Sequence, residues 1–199
     1  MDLFSLKIIK EILIKYKTKP FKGMGQNFLV NRQSLEKIIK TADLKAEDAV
    51  LEVGPGVGTL TQELAKNAEK VIAVEKDQKM CEILKETLSD FKNVEIINGD
   101  ILKINTSSQI NSRTNHSNTY VYAQTLQRFK HNKYKIVANL PYYITSHFLR
   151  LFLETEKLRP KSMTLMIQKE VAQRICAKPP HMNLLALSVQ AFGEPKILF

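Results

Sequence analysis

Short apolar runs and helically spaced apolar residues alternate along most of the chain. The runs predict six strands, at 49–53, 70–74, 94–97, 135–138, 163–167 and 185–191. The spacing of apolar residues between the runs predicts helices at 59–67, 78–88, from about 145 onwards and at 169–176. Strands that alternate with helices are typical of a mostly parallel sheet with helices on both faces, so we predict an α/β fold.

The N-terminal segment has the pattern of an amphipathic helix. Across residues 3–16, one predicted face carries the side chains of Leu6, Ile9, Leu13 and Tyr16, and the lysines lie elsewhere. Pro20, set among further lysines, should end this helix. A second helix is predicted at 34–42, with Ser34 as its N-cap.

Two further features concern how the chain is divided. We interpret residues 1–22 as a basic N-terminal helix and arm, and residues 23–199 as the main domain. Residues 105–119 are almost wholly polar and can bury little apolar surface, which predicts a mobile loop between the third and fourth strands. A loop with a function of its own is the alternative interpretation.

Composition narrows the class of protein. Hydrophobic residues make up 44% of the chain and charged residues 25%, as in ordinary globular proteins. There is no run of 18 apolar residues and no signal-peptide pattern, so we expect a cytoplasmic protein without a membrane partner. Cys81 and Cys176 are expected to be reduced thiols. The four histidines lack the spacing of metal ligands, so no metal is predicted.

Positive charge adds a candidate partner. Thirty basic and twenty acidic residues give a formal net charge of +10. Residues 101–150 contain seven basic side chains and no acidic one, and tyrosines are interleaved with them. This pattern indicates a polyanionic partner such as nucleic acid. A basic surface that only keeps the protein soluble is the alternative.

A glycine-rich turn follows the first predicted strand. Gly54, Gly56 and Gly58 lie between that strand and a helix, where glycine lets a ligand approach the backbone closely. A dinucleotide fingerprint would need glycine at Thr59, and no phosphate-binding GK[ST] pattern follows. The turn can cradle a zwitterion or a ribose, although a purely structural turn would have the same pattern.

Two acidic residues follow the next two strands. Glu75 lies 21 residues after Gly54 at the end of the second strand, the spacing at which a carboxylate accepts hydrogen bonds from ribose hydroxyls. Asp100 follows the third strand, where it could accept from an exocyclic amino group. A solvated acid and a helix cap are the plainer alternatives. Taken with the glycine turn, the two acids fit one adenosine, and the missing phosphate pattern favours S-adenosylmethionine.

The segment Asn139-Leu140-Pro141-Tyr142 follows the fourth predicted strand directly. Adenine N6 is a poor nucleophile because its lone pair is delocalised into the ring. An amide oxygen and a backbone carbonyl that accept its two N–H groups would hold the nitrogen and direct its lone pair at a methyl donor. An aromatic ring can stack on an extruded base. A plain turn after a strand is the alternative.

Together these motifs resemble those of the ribosomal RNA adenine N6,N6-dimethyltransferases, which modify two adjacent adenosines near the 3′ end of small-subunit rRNA. The resemblance covers residues 20–199 and rests on five segments, at 25–29, 52–58, 74–77, 98–100 and 139–145. It implies a Rossmann-like class I methyltransferase fold, S-adenosylmethionine as methyl donor, and small-subunit rRNA or the immature small ribosomal subunit as partner of a monomer.

The resemblance also implies roles for individual residues. Three residues would line the methionine end of the donor: Gln26, Asn27 and Leu29. The rest of the donor would contact Gly54 and Gly56 as a floor, Glu75 at the ribose and Asp100 at the adenine. At the target base, Asn139 would touch both donor and N6, the Leu140 carbonyl would take the second N6 proton, and Tyr142 would stack.

Other functions remain open at this point. A sister branch methylates large-subunit rRNA and confers macrolide resistance, and Leu140 favours the small-subunit branch over it. A non-catalytic rRNA-binding ribosome assembly factor and a DNA adenine methyltransferase are further alternatives. Residues 196–199 resemble the start of the last sheet strand, after which the family continues into a small helical domain. We therefore expect an incomplete last strand and no C-terminal helical domain.

Overall fold

The computed structural model describes residues 1–18, 28–103 and 134–199. The described strands are β1 Ala49–Val53, β2 Lys70–Glu75, β3 Val94–Asn98, β4 Tyr134–Asn139 and β5 Ser162–Met166. The described helices are α1 Leu6–Lys15, α2 Arg32–Ala42, α3 Thr59–Asn67, α4 Gln78–Thr87, α5 Thr145–Glu154, α6 Lys169–Ile175 and α7 Leu184–Gln190. Short 3₁₀ turns lie at Ile101–Lys103, Tyr142–Ile144 and Glu156–Leu158. The predicted loop at 105–119 lies outside the described residues.

The five strands form one parallel sheet in the order β3-β2-β1-β4-β5. Leu51 of β1 lies opposite Ile72 of β2 on one side and Ile136 of β4 on the other. The strand order therefore reverses between β1 and β4. In open parallel sheets, the carboxyl ends of the strands beside such a reversal form the ligand crevice.

Successive side chains of the strands pack into two separate apolar layers. Leu51, Ile72 and Ile136 pack with Phe148 and Phe152 of α5. Their sequence neighbours Val50, Val71 and Val137 pack in the other layer, with side chains of α2 and α3. Because successive side chains of a strand point to opposite faces, the sheet is covered on both sides. The predicted α/β fold with helices on both faces is confirmed.

Helix α1 lies against α4, with a buried face that differs in part from the predicted one. Its buried residues are Ile9, Ile12 and Leu13, which form one cluster with Val57, Met80 and Ile83. Leu6, predicted for this face, is 60% exposed. Lys15 and the Tyr16 hydroxyl both donate to Glu86 of α4 over 2.6 Å.

The start of α2 differs from the prediction of a helix at 34–42 with Ser34 as N-cap. Asn31 is the N-cap, and its side chain accepts from the Ser34 N–H at 2.8 Å.

The C-terminal part departs most from the sequence pattern. Residues 185–191, predicted as a strand, form helix α7, so that prediction is wrong. The Asn183 side chain caps the helix by accepting from the Ala186 N–H at 3.0 Å. Ala186 and Val189 are buried and Leu187 is 53% exposed, so the apolar run contains a helical face. Residues 196–199, predicted to start a further strand, pair with no strand among the described residues.

None of the helices in the described part of the chain is both long and apolar enough to cross a membrane.

A buried lysine joins β4 to the segment before β1. Lys135 Nζ lies 2.8 Å from Asp48 Oδ2, and both side chains are nearly inaccessible. The same ammonium donates to the Asp43 carbonyl at 2.6 Å and to the Ala42 carbonyl at 3.3 Å, where α2 ends. Burial alone would raise the pKa of Asp48, but Lys135 and a backbone N–H lower it below its ordinary value. A strand residue that the pattern places at the start of β4 therefore holds the loop that leads into β1.

We expect Lys135→Met to lower the free energy of unfolding by about 3 kcal/mol at pH 7, because it leaves a nearly inaccessible carboxylate without its counter-ion and two carbonyls without this donor. Urea denaturation measures the change, with exposed Lys157→Met as the control. Since the lowered pKa of Asp48 makes the pair stabilising only when that carboxyl is ionised, the difference should shrink as the pH falls below 3.8. A loss equal to that of the control would contradict the structural role of this ion pair.

Candidate active site

A cleft that is open to solvent lies at the carboxyl ends of β1, β2, β3 and β4. The charged residues that line it are Glu52, Glu75, Lys76 and Asp100. The other lining residues include Phe28, Leu29, Gly54, Gly56, Asn139, Pro141 and Tyr143. The cleft therefore lies where the reversal of strand order predicts a ligand.

The glycine turn after β1 forms one wall of the cleft. Gly56 has a φ of 59°, a conformation that side-chain-bearing residues rarely adopt. A Cβ atom at Gly56 would lie 3.1 Å from the Phe28 ring, and one at Gly54 would lie 3.5 Å from Pro141. At Gly56 a side chain would have to displace Phe28, whereas at Gly54 the positive φ of 68° and not the space disfavours one. The backbone of the turn itself therefore faces the cleft.

Glu75 connects the end of β2 to the glycine turn. Its Oε2 accepts from the Gly56 N–H at 3.3 Å, and its Oε1 accepts from the Asp77 N–H at 2.9 Å. The side chain is buried at 6% exposure, and burial raises the pKa of Glu75 although the two backbone donors oppose this shift. The carboxyl group is thus held in one orientation beside the cleft.

Asp100 lies at the far end of the cleft, after β3. Its Oδ1 accepts from the Leu102 N–H at 3.1 Å, and its Oδ2 lies 2.9 Å from Lys76 Nζ. Burial opposes ionisation of Asp100, but the ion pair and the backbone N–H lower its pKa below the ordinary value. Asp100 therefore also caps the short turn that follows it, which was the alternative interpretation of this residue from the sequence.

Asn98 holds the ends of β2 and β3 together. Its Nδ2 donates to the Glu75 carbonyl at 3.0 Å and to the Lys76 carbonyl at 3.3 Å. The Gly99 N–H also donates to the Glu75 carbonyl at 2.9 Å. These bonds fix the backbone on both sides of the carboxyl groups. Asn98 lies in one of the five segments that carry the family resemblance, but no role was predicted for it from the sequence.

Glu52 is a site residue that sequence analysis did not single out. It lines the cleft at 1% exposure, and its Oε2 has no hydrogen-bond partner among the described residues. The hydroxyl oxygens of Thr59 and Thr61, also buried, lack a partner within the same part of the chain. Burial raises the pKa of Glu52 to about 8. An acid inside an otherwise apolar strand, between Leu51 and Val53, is the sequence signal that could have found it.

Asn139, at the end of β4, lines the cleft and also a second cavity beside it. Leu140 follows with a buried side chain, and its N–H donates to the Met166 carbonyl at 3.1 Å. The next two tyrosines separate: Tyr143 lines the cleft, and Tyr142, 45% exposed, lines the second cavity. Asn139 thus lines both the cleft and the second cavity.

The structure brings most of the predicted site residues together. Leu29, Gly54, Gly56, Glu75, Asp100 and Asn139 all line the one cleft. Leu140 and Tyr142 lie next to it, whereas Gln26 and Asn27 lie outside the described residues. The roles of these residues toward ligands stay predictions. In the described part of the chain, no three His, Cys, Asp or Glu side chains cluster as metal ligands would.

Comparison with known proteins decides the family. The family model of ribosomal RNA adenine dimethylase matches residues 18–198, nearly the whole chain. The chain belongs to this family. The resemblance that the sequence motifs carry is therefore confirmed.

Among related dimethylase sequences, the ribosomal RNA small subunit methyltransferase A of Dehalococcoides mccartyi is 44% identical over 95% of this chain and 58% of its own length. The protein of the same name from Alkaliphilus oremlandii is 42% identical over 98% of this chain and 63% of its own length. The chain therefore spans about three fifths of the length of these curated relatives.

Solved structures of related methyltransferases share the fold. A dimethyladenosine transferase from Plasmodium falciparum superposes with a TM-score of 0.62 at 29% identity, over 82% of this chain and 52% of that protein. The 23S rRNA methyltransferase ErmE superposes with a TM-score of 0.60 at 28% identity, over 81% of this chain and 57% of that protein. The Rossmann-like methyltransferase fold predicted from the resemblance is confirmed.

The raised pKa of Glu52 makes stability depend on pH. Between the ordinary glutamate pKa of 4.5 and the raised pKa of about 8, the folded state keeps a proton that the unfolded state has released, so stability falls as the pH rises. We expect Glu52→Gln to remove this loss, which is at most about 1.4 kcal/mol per pH unit for one proton.

Urea denaturation of both proteins from pH 5 to pH 8.5 measures the effect, with exposed Glu47→Gln as the control. The gain from Glu52→Gln should grow with pH, and the difference made by the control should not. A gain that is constant across this range would show that Glu52 is already ionised at pH 5.

Proposed function

We propose that this chain is the methyltransferase part of an enzyme that transfers methyl groups from S-adenosylmethionine to N6 of two adjacent adenosines near the 3′ end of small-subunit rRNA. The observation that carries the proposal is the position of Asn139, which lines two neighbouring cavities at once. One cavity would take the donor and the other the target base. A single amide would then contact both reactants.

The cleft suits the proposed donor in shape and chemistry. The exposed backbone of the glycine turn would lie under the nucleoside, and the fixed Glu75 carboxyl would accept from its ribose hydroxyls. Asp100, at the other end of the cleft, would accept from the adenine amino group. The unpartnered Oε2 of Glu52 marks a polar position that calls for a hydrogen-bond donor from a ligand or a water. Gln26, Asn27 and Leu29 would contact the methionine end.

The acceptor side would position the target nitrogen. The donor, when bound, supplies an electrophilic methyl group on a positively charged sulfur. The Asn139 amide oxygen and the Leu140 carbonyl would accept the two N6 hydrogens and direct the nitrogen lone pair at that methyl group. Leu140 is suited to act through its carbonyl because its side chain lies in the core and its N–H is bonded to Met166.

Catalysis would need no strong general base. A nitrogen that has gained a methyl group is positively charged and acidic, so it releases its proton to water while Asn139 holds its position. Tyr142, exposed beside Asn139, would stack on the extruded base and contribute about 1–3 kcal/mol to its binding. S-adenosylhomocysteine would be released after each transfer, and each adenosine would receive two methyl groups.

The relatives favour small-subunit rRNA over the other candidate substrates. Curated relatives named small subunit methyltransferase are 42–46% identical to this chain, whereas ErmE, named for 23S rRNA, is 28% identical. The net charge of +10 favours a polyanionic partner. We propose a cytoplasmic monomer that acts on the rRNA within immature small ribosomal subunits.

The direct test is transfer of labelled methyl groups to immature small subunits. We expect the unchanged chain to label them at N6 of adenosine and Asn139→Ala to lower the rate at least 100-fold, because the nitrogen loses one of the two acceptors that orient it. Asn67→Ala, at the exposed end of α3, is the matched control and should keep the full rate.

Equal labelling by the Asn139→Ala variant would refute the catalytic assignment. RNA binding that weakens steeply with salt, without any binding of S-adenosylmethionine, would instead favour a non-catalytic assembly factor.

Donor binding is tested separately by calorimetry. Glu75→Gln should weaken the affinity for S-adenosylmethionine at least tenfold, because an N–H₂ group would replace one of the two oxygens that accept from the Gly56 and Asp77 N–H groups and from a ribose hydroxyl. Glu69→Gln, an exposed change before β2, is the control. Unchanged affinity in the Glu75 variant would place the ribose elsewhere.

A further inference from the structure

One wall of the second cavity consists of residues to which the proposed reaction assigns no role. Asn139 and Tyr142 form one side of it, and the other side is formed by the segment from Met166 to Glu170 that follows β5. This segment takes no part in the donor cleft. A ligand in the second cavity would therefore lie between this segment and Asn139.

Strand pairing places this wall beside the reaction centre. Met166 of β5 lies opposite Asn139 of β4, and its carbonyl accepts from the Leu140 N–H at 3.1 Å. The chain leaves the sheet one residue later, so Gln168 and Lys169 follow directly at the same sheet edge. Their distance from Asn139 is thus determined by the β4–β5 register and not by a long loop.

Two side chains of this wall, those of Gln168 and Lys169, are available to contact a ligand. Gln168 precedes α6 but makes no side-chain cap bond to it. The Gln168 carbonyl accepts from the Ala172 N–H at 3.0 Å, but neither the Gln168 nor the Lys169 side chain has a hydrogen bond or an ion pair with any residue that the structure describes. Both are exposed and able to donate to a ligand in the cavity.

The charges of the wall suit a neutral nucleoside. Lys169 and Glu170 are adjacent and of opposite sign, so the cavity does not present a purely basic site for phosphate. A purine base whose N6 hydrogens are taken by Asn139 and Leu140 still presents ring nitrogens N1 and N7, which only accept. The wall opposite Asn139 offers the N–H donors that these acceptors require.

We propose that Gln168 and Lys169 form the acceptor wall of the target-base site and hold the extruded adenine from the side opposite Asn139, with Gln168 donating to a ring nitrogen. This inference rests on the proposed function, because that function assigns the second cavity to the target base. It adds two specificity-determining residues outside the segment at 139–142: Gln168, which directly precedes α6, and Lys169, its first residue. Recognition of a flipped base through its hydrogen-bonding edge is a general feature of enzymes that modify bases.

The test uses adenosine as the probe and the chain saturated with S-adenosylhomocysteine, so that the donor cleft is already filled. Calorimetry should show saturable binding of adenosine, at least fivefold weaker in Gln168→Ala and measurably weaker in Lys169→Ala. Gln173→Ala, an exposed change on the same helix that lines neither cavity, is the matched control and should bind as the unchanged chain does. The affinity for S-adenosylhomocysteine, measured first, should be equal in all variants and reports correct folding.

A second measurement separates this inference from the proposed function. In methyl transfer to immature small subunits, Gln168→Ala should raise KM for the particle at least fivefold. Equal KM and equal adenosine affinity in the Gln168 and Gln173 variants would overturn the acceptor wall while leaving the methyltransferase proposal intact. Adenosine binding that depends on Gln168, in a chain that transfers no methyl group, would support the wall and overturn the proposed activity. Absence of adenosine binding in the unchanged chain would overturn the wall.

Discussion

The parallel pairing of β1 with both β2 and β4 is the constraint on which the site depends. A strand at the centre of such a sheet is buried on both faces, so its polar backbone groups can be satisfied only by its two neighbours. The pairing brings the turn after β1 beside the ends of β2 and β4 at one edge. Gly54 then lies so close to Pro141 that the glycine turn and the segment after Asn139 form one continuous wall. A shift of either register would separate the two cavities that share Asn139.

The chain as a whole is basic, whereas most of the charged residues that line the cleft are acidic. The whole chain has a net charge of +10, yet the charged residues that line the cleft are three acids and one lysine. Burial keeps two of these acids, Glu52 and Glu75, at raised pKa values, whereas the ion pair with Lys76 favours ionisation of Asp100. Because Glu52 is protonated below about pH 8 and Asp100 is paired with Lys76, the cleft has far less negative charge than its residue types suggest.

Several buried polar groups connect segments that are distant in sequence. Lys135 joins β4 to the end of α2, Asn98 joins the ends of β2 and β3, and Glu75 joins β2 to the glycine turn. Each group is satisfied by backbone partners or by an opposite charge, so burial does not leave it unpaired. The connections made by Asn98 and Glu75 lie at the carboxyl edge of the sheet, where the ligands would bind, whereas Lys135 joins elements at the opposite edge. Precise positioning of reacting groups by a rigid frame is the main catalytic contribution expected for a reaction that needs no strong base.

The sequence by itself determined the α/β class, the bounds of β1 and six of the residues that line the cleft, namely Leu29, Gly54, Gly56, Glu75, Asp100 and Asn139. Those signals are local: apolar runs, a glycine turn, and acids at the ends of strands. The tertiary structure decided what local signals leave open. Residues 185–191 form a helix because Asn183 caps it and only one of its faces is covered, which an apolar run does not reveal. Glu52 and Lys135 matter through burial, and Gln168 through the β4–β5 register. Burial and register depend on contacts between distant parts of the chain, so only the folded structure determines them.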